Sequence, residues 1–400
     1  MNLFLAEHNK LWKRNGVKIC VLLCFFYVVI VGNILTFQWF SFGSNDDATS
    51  SFGNHFDGYD MIKESQAYAR TFGELTDETI QRMVRDYQRL KAEGKDRERE
   101  WMDRGIIDNW LEILWPELKD SARYETMITY VDADQLTGFY ERRQQAVEDF
   151  LKISGQTGGE QEYLLKMESK VQKPFRYQWV ESWSQLLGSI LADLGMVMAL
   201  FLAIVLSPLF AGEWHSNTGG MILATRNGWR QAARTKIMVG FAFTLEFFTL
   251  LAGGMLTAQL FFLGFSGWDM PIQTIKLIAV APINMLGAEL YEYGFTLLGV
   301  IGYAGVVMLI SAAVRNHILA LLLSLFVVYG PMMISSYLPM GLQKALDLLP
   351  LVGSGTDIFR TNTFHLFGTY IWSPWLLLIV PVLLGLLCVP FAVRCWARKG

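Results

Sequence analysis

Six long apolar stretches limit this chain to folds that have a bilayer as part of their solvent. A helix of about 20 apolar residues matches a hydrocarbon core about 30 Å thick. The stretches are Ile19–Phe40, Leu186–Phe210, Ile237–Phe265, Tyr293–Val314, Ile318–Leu338 and Trp375–Trp396. The first carries no charge, the second contains Asp193 and the third contains Glu246. Ile19–Phe40 is too long for a signal peptide and lacks a small-residue cleavage site, so it is expected to stay as an anchor.

Charge is concentrated between the first two stretches. Residues 41–185 hold 28 acidic and 19 basic residues, and the remaining 255 residues hold only 24 charges. A water-soluble fold carries about a quarter charged residues throughout. The chain is therefore expected to be an all-α membrane protein with a large water-exposed insert. The insert is net −9, which excludes the clustered basic face of a nucleic-acid binder. Its lack of cysteine means that it relies on packing and not on disulfides, because Cys20, Cys24, Cys388 and Cys395 all lie in or beside the first and last spans.

Lys/Arg bias sets the expected orientation. With the N-terminus inside, twelve Lys/Arg fall on short inner segments, and three (Lys276, Lys344, Arg360) fall on short outer loops. Both termini are then cytoplasmic and residues 41–185 extracytoplasmic. The absence of cysteine from the insert and of any Asn-x-Ser/Thr acceptor suits a bacterial cell membrane.

Within residues 1–18, Phe4, His8, Leu11 and Trp12 share a helical stripe beside Lys10, Lys13 and Arg14, the pattern of an amphipathic helix on the inner leaflet. In the insert, Thr76–Gly94 places Ile80, Met83, Val84, Tyr87 and Leu90 on one stripe and opens with Thr-Asp-Glu. Asp134–Ser154 repeats the pattern, and Ile107–Leu114 makes a shorter helix ending at Pro116. These stripes suffice for a core, so residues 58–176 are expected to fold independently. Pro339–Ser373 is too short to cross a membrane twice, and its apolar, Gly/Pro-punctuated composition suits a hairpin that dips in and returns. The loop Ser266–Glu289 carries a similar apolar stretch, Ile275–Met285.

No phosphate-binding loop, no His-Glu-x-x-His and no Gly-x-Ser-x-Gly occurs, and the five histidines are scattered. Nothing in the sequence builds an enzyme or a metal site. Charged residues in unlikely places remain. Glu246 lies a third of the way into its span and Asp193 in the outer half of its own. A carboxylate there marks a substrate pathway or a hydrogen-bonded contact between helices. Glu289 and Glu292, at the mouth of the fourth span, read as a solvated face.

The segment after the second span runs Leu-Phe-Ala-Gly-Glu213-Trp-His-Ser-Asn-Thr218-Gly-Gly-Met-Ile-Leu223-Ala-Thr225-Arg-Asn-Gly-Trp-Arg230, with Lys236 leading into the third span. It resembles the permease subunits of type-2 ABC exporters. These close the second span with an acidic residue, continue through a short Gly/Thr and Leu-Leu helix and a Thr-Pro-x-x-Arg-like turn, and open the third span with Lys. Asn217 and Arg226 depart from that pattern. Ser311-Ala-Ala-Val-Arg315-Asn316 is similar to the tight turn between the family's fourth and fifth spans.

The resemblance covers about 1–40 and 186–400 and leaves 41–185 as an insertion. It implies a coupling loop at 211–236, with Glu213, Thr218, Leu223, Thr225, Arg230 and Lys236 passing ATPase closure to the spans. It also implies an apolar outer hairpin at 339–373. A separate ATPase dimer would hold ATP and Mg, this chain would bind no cofactor, and a second permease subunit, identical or related, would complete the pathway. Few intramembrane charges favour an amphipathic peptide, a lipid or a drug as substrate. The alternative is a membrane-anchored sensor or immunity protein that binds a ligand through 41–185 and moves nothing.

Overall fold

A computed structural model describes residues 3–27, 66–67, 69–93, 104–156, 158–180, 183–184, 187, 191–215, 228–353 and 358–397. The elements, in order, are α1 (Leu3–Trp12), α2 (Asn15–Phe26), β1 (Gly73–Glu74), α3 (Asp77–Ala92), α4 (Arg104–Leu114), α5 (Phe139–Ile153), α6 (Gly159–Glu168), β2 (Arg176–Tyr177), α7 (Leu191–Leu206), α8 (Pro208–His215), α9 (Gly228–Leu263), α10 (Met285–Ala313), α11 (His317–Ser335), α12 (Met340–Asp347), β3 (Thr363–Leu366), β4 (Thr369–Trp372) and α13 (Ser373–Ala397). The chain is mostly helical. Among the described residues, five helical segments are long and apolar enough to cross a membrane: Leu194–Trp214, Trp229–Phe261, Met285–Ala313, His317–Ser335 and Ser373–Ala397. The expected first span begins in α2, and its residues beyond Tyr27 lie outside the described ones.

The polar domain follows the sequence closely at α3. Thr76 accepts a hydrogen bond from the Thr79 amide, acids fill the first turn and Arg89 and Lys91 the last, complementing the helix dipole. The helix expected over Asp134–Ser154 starts instead at Phe139. Asp132 caps a 3-10 turn at Ala133–Gln135, and Gly138 takes a left-handed conformation (φ 74°) that side chains other than glycine avoid. Asp77 then accepts from the amides of Gly138 (2.7 Å) and Phe139 (3.0 Å), so the first turn of α3 caps α5. Trp110, Phe139, Phe175 and Tyr177 meet edge to face in the core.

This core is closed by the loop between α9 and α10. Met270, Ile272, Leu277, Ala279 and Val280 are buried, and the Trp110 indole donates to the Thr274 carbonyl at 3.0 Å. Arg143, wholly buried, bonds Glu168 (2.6 Å), the Leu277 carbonyl (2.9 Å) and the Ala279 carbonyl (3.2 Å). Burial pulls its guanidinium below the ordinary value, and Glu168 opposes that shift. The apolar Ile275–Met285 stretch therefore owes its composition largely to the polar domain.

The described residues of 339–373 carry regular structure. They form α12 and an antiparallel β3–β4 hairpin in which Thr363 pairs with Trp372. The hairpin touches the polar domain, where the Thr363 hydroxyl bonds Glu160. Leu351 reaches the other way, into the space that a Cβ on Gly299 of α10 would fill, and lies near Gly195 of α7.

Helix α10 is the centre of the apolar bundle. It begins at Met285, eight residues before the expected span, because Asn284 caps it by accepting from the Gly287 amide at 2.8 Å. A Cβ on Gly305 would overlap the Gly385 backbone of α13, so these two helices meet backbone to backbone. The second span breaks at Ser207–Pro208, where proline cannot continue the hydrogen-bond ladder. Ser311 repairs the break: its hydroxyl donates to the Ser207 carbonyl (2.6 Å) and accepts from the Phe210 amide (3.0 Å). Asn316 then caps α11, which makes Ser311–Asn316 a tight turn. Helices α11 and α13 leave apolar faces exposed, including Leu322, Phe326, Met333, Ile379, Leu387 and Phe391.

Candidate functional site

The polar side chains that converge most closely in the bundle lie where α8 ends and α9 begins. Lys236 (1% exposed) donates to Glu213 Oε1 at 2.7 Å and to Glu7 Oε2 at 2.9 Å. Lys10 donates to the same Glu213 oxygen at 2.8 Å. Three elements thus share one network of two cations and two carboxylates, in which Lys236 and Glu213 are buried, Glu7 is half-buried and Lys10 is exposed. An ammonium at this depth is tolerable only because two carboxylates replace its water.

Glu213 and Lys236 stand on either side of the segment 216–227. Of the other residues singled out there, Thr218, Leu223 and Thr225 lie outside the described residues. Arg230 is described and joins no ion pair of the network; its exposed guanidinium lies 4.9 Å from the Trp229 ring centre. Behind Glu213, Trp214 packs on Trp396 (5.6 Å), Arg315 stacks on Trp214 (4.9 Å), and Phe210 meets Trp396 (5.3 Å).

Glu246 has partners that sequence spacing did not reveal. His8 Nε2 lies 3.0 Å from both carboxylate oxygens, and the Trp12 indole donates to Oε2 at 3.1 Å. The N-terminal helix, whose Leu11 is buried and whose Trp12 ring packs on Phe243 at 5.2 Å, therefore lies against α9. The carboxylate keeps 46% of its side chain exposed. His8 and Trp12, one turn apart in the stripe read from the sequence, were the signal available. Asp193 lies on α7, and its side chain is outside the described residues.

Glu289 and Glu292 overturn the expectation of a solvated face. Each is 2% exposed. Both oxygens of Glu289 and Oε1 of Glu292 have no hydrogen-bond partner among the described residues. The early start of α10 is the cause, since it places both carboxylates on the helix face that packs inward with Thr296 and Gly299. Charge alone does not tell which face a residue will occupy.

Among the described residues, no group of three or more His, Cys, Asp and Glu could hold a metal ion. Comparison of the chain with protein-family models, with curated proteins and with solved structures finds no match.

Proposed function

We propose that this chain is the permease subunit of an ATP-binding-cassette exporter in a bacterial cell membrane. In this reading six spans cross the bilayer, both termini are cytoplasmic and the polar domain is extracytoplasmic. The supporting observation is the Glu213–Lys236 pair, which joins α8 to α9 on either side of residues 216–227 and ties both helices to the N-terminal helix through Glu7 and Lys10. A separate ATPase dimer, holding ATP and Mg, would press on that segment as it closes. The network would pass the displacement to α8 and α9 together, and a second permease subunit would form the other half of the pathway. An amphipathic peptide, lipid or drug fits the sparse intramembrane charge.

The test is purification of the tagged full chain from its native membranes, with mass spectrometry of what accompanies it. The expected companion is a soluble protein with a phosphate-binding loop, together with vanadate-sensitive ATP hydrolysis. Arg230→Glu should release that companion while leaving membrane insertion intact. A sensor or immunity protein that moves nothing would come out with no ATPase and no hydrolysis, and that outcome would replace this reading.

A further inference from the structure

A cleft of about 570 Å³ opens where the polar domain meets the α9–α10 loop. Segment 170–176 forms one wall, and residues 269–273 with 282–287 form the other. The volume is in the range of sites for small ligands and short peptide segments. We infer that this cleft binds a peptide segment through its backbone N–H and a carboxylate.

Gln273 carries the first part of the inference. It is fully buried and lines the cleft. Its Nε2 donates to the carbonyls of Ala279 (3.0 Å) and Ala281 (2.8 Å), so the amide has only one sensible orientation. Its Oε1 has no hydrogen-bond partner among the described residues. A buried acceptor held in place and left unpaired is costly, and a ligand N–H removes that cost. The Ala279 carbonyl also receives Arg143 from the domain core, so the wall bearing Gln273 is anchored from behind.

Charge carries the second part. Lys170 and Arg176 stand exposed on one wall, and neither has an ion-pair partner among the described residues. Lys173, between them in sequence, is drawn away to Glu168 at 3.1 Å. Asp269 is the one acid among the described residues of the lining. The surplus positive charge and the guanidinium fork suit a carboxylate.

The walls are also preformed. Pro174, Pro271 and Pro282 fix the backbone at three points, and the Ile272 amide bonds the Ile283 carbonyl at 3.2 Å across the second wall. Phe175 and Val171 add apolar lining for the peptide's side chains. The remaining adjustment on binding is at Gln273, whose buried Oε1 must be uncovered to meet the ligand N–H. A transporter and a receptor could both use such a site, so the inference stands apart from the proposed coupling to an ATPase.

The experiment uses the full chain in lipid nanodiscs, immobilised and exposed to pools of N-acetylated tetrapeptides with randomised side chains. One pool ends in free carboxylates, a second in amides, and a third has N-methylated backbone amides. Mass spectrometry reads what is retained. At least tenfold preference for the free-acid pool identifies a terminal carboxylate as the ligand group. Enrichment of Asp and Glu within the amide pool identifies a side-chain carboxylate instead. The N-methylated pool should be retained at least tenfold less than its unmethylated counterpart. The Lys170→Glu/Arg176→Glu double variant, altered only at exposed positions, should lose retention while keeping the parent's melting temperature. The inference is overturned if no peptide is retained, if carboxylates and N–H groups make no difference, or if the folded double variant retains peptides like the parent.

Discussion

Lys236 and Glu213, 23 residues apart in sequence, meet at 2.7 Å with both side chains almost wholly buried. Removing Glu213 leaves the buried Lys236 ammonium with only one of its two carboxylates, Glu7, in a place without water. Glu213→Ala should therefore lower stability in detergent by about 3–5 kcal/mol. The Glu213→Ala/Lys236→Met pair should recover much of that loss, because it removes both charges. A thermal melt of the two variants checks this, and a double variant less stable than the single one would contradict it.

Glu246 holds the N-terminal helix through His8 and Trp12. Glu246→Gln keeps an acceptor for both and should leave the helix docked. Glu246→Leu should free it. Leu11 is buried against the bundle, so a Leu11→Cys reporter should resist maleimide in the Gln background and react in the Leu background.

Arg143 joins the polar domain to the α9–α10 loop through two carbonyls of that loop. Arg143→Met should leave Glu168 buried without its closest partner and cost about 3–5 kcal/mol. By the same logic, residues 66–180 fused through a flexible linker to residues 264–284 should melt more cooperatively and at higher temperature than residues 66–180 alone. Circular dichroism on the two soluble proteins reads the difference.

Tyr140 donates to the Leu75 carbonyl (2.9 Å) and accepts from the Phe175 amide (2.6 Å), and burial pushes its hydroxyl up to about 12. The unfolded value is about 10. The folded domain thus holds this proton more tightly than the unfolded chain does. The stability it brings is complete below pH ~10 and drains away as pH rises toward 12. Tyr140→Phe should weaken the domain at neutral pH by about 1 kcal/mol and flatten the alkaline limb of its stability curve.

Gly305 and Gly385 bring α10 and α13 into backbone contact. Gly305→Val should prevent that approach and abolish a cooperative melt. Gly253 of α9 has open space where a Cβ would sit, so Gly253→Ala should be neutral or stabilising by up to about 1 kcal/mol. The pair of variants separates a packing role from a general sensitivity of helical glycines.

The features legible in the sequence are those written in local chemistry. Thr76 with its acidic first turn announced α3, and apolar length announced the five segments able to span a membrane. Charge misled where it was used to mark boundaries. Glu289 and Glu292 pushed the expected start of the fourth span to Tyr293, whereas the Asn284 cap sets it at Met285. The partners of Glu246, and one of the two carboxylates on Lys236, lie more than 200 positions away in the N-terminal helix, beyond any periodicity. Ser311 was noticed as part of a turn, but its repair of the Ser207–Pro208 break exists only once two helices are side by side.

The anchoring of Arg143 has a consequence in time. The Leu277 carbonyl that receives it lies 134 residues later in the chain. At a synthesis rate of about 5–20 residues per second, roughly 7 to 27 s separate the emergence of the arginine from that of its acceptor. Throughout that interval two more apolar segments must be made while the polar domain waits with a gap in its core. The ribosome thus makes the domain's last wall only after the whole of α9 has been synthesised. A slow codon run or a stalled insertion step within residues 191–263 would expose that gap for longer. The vulnerability of this domain to misfolding would then be governed by events in a part of the chain to which it does not itself belong.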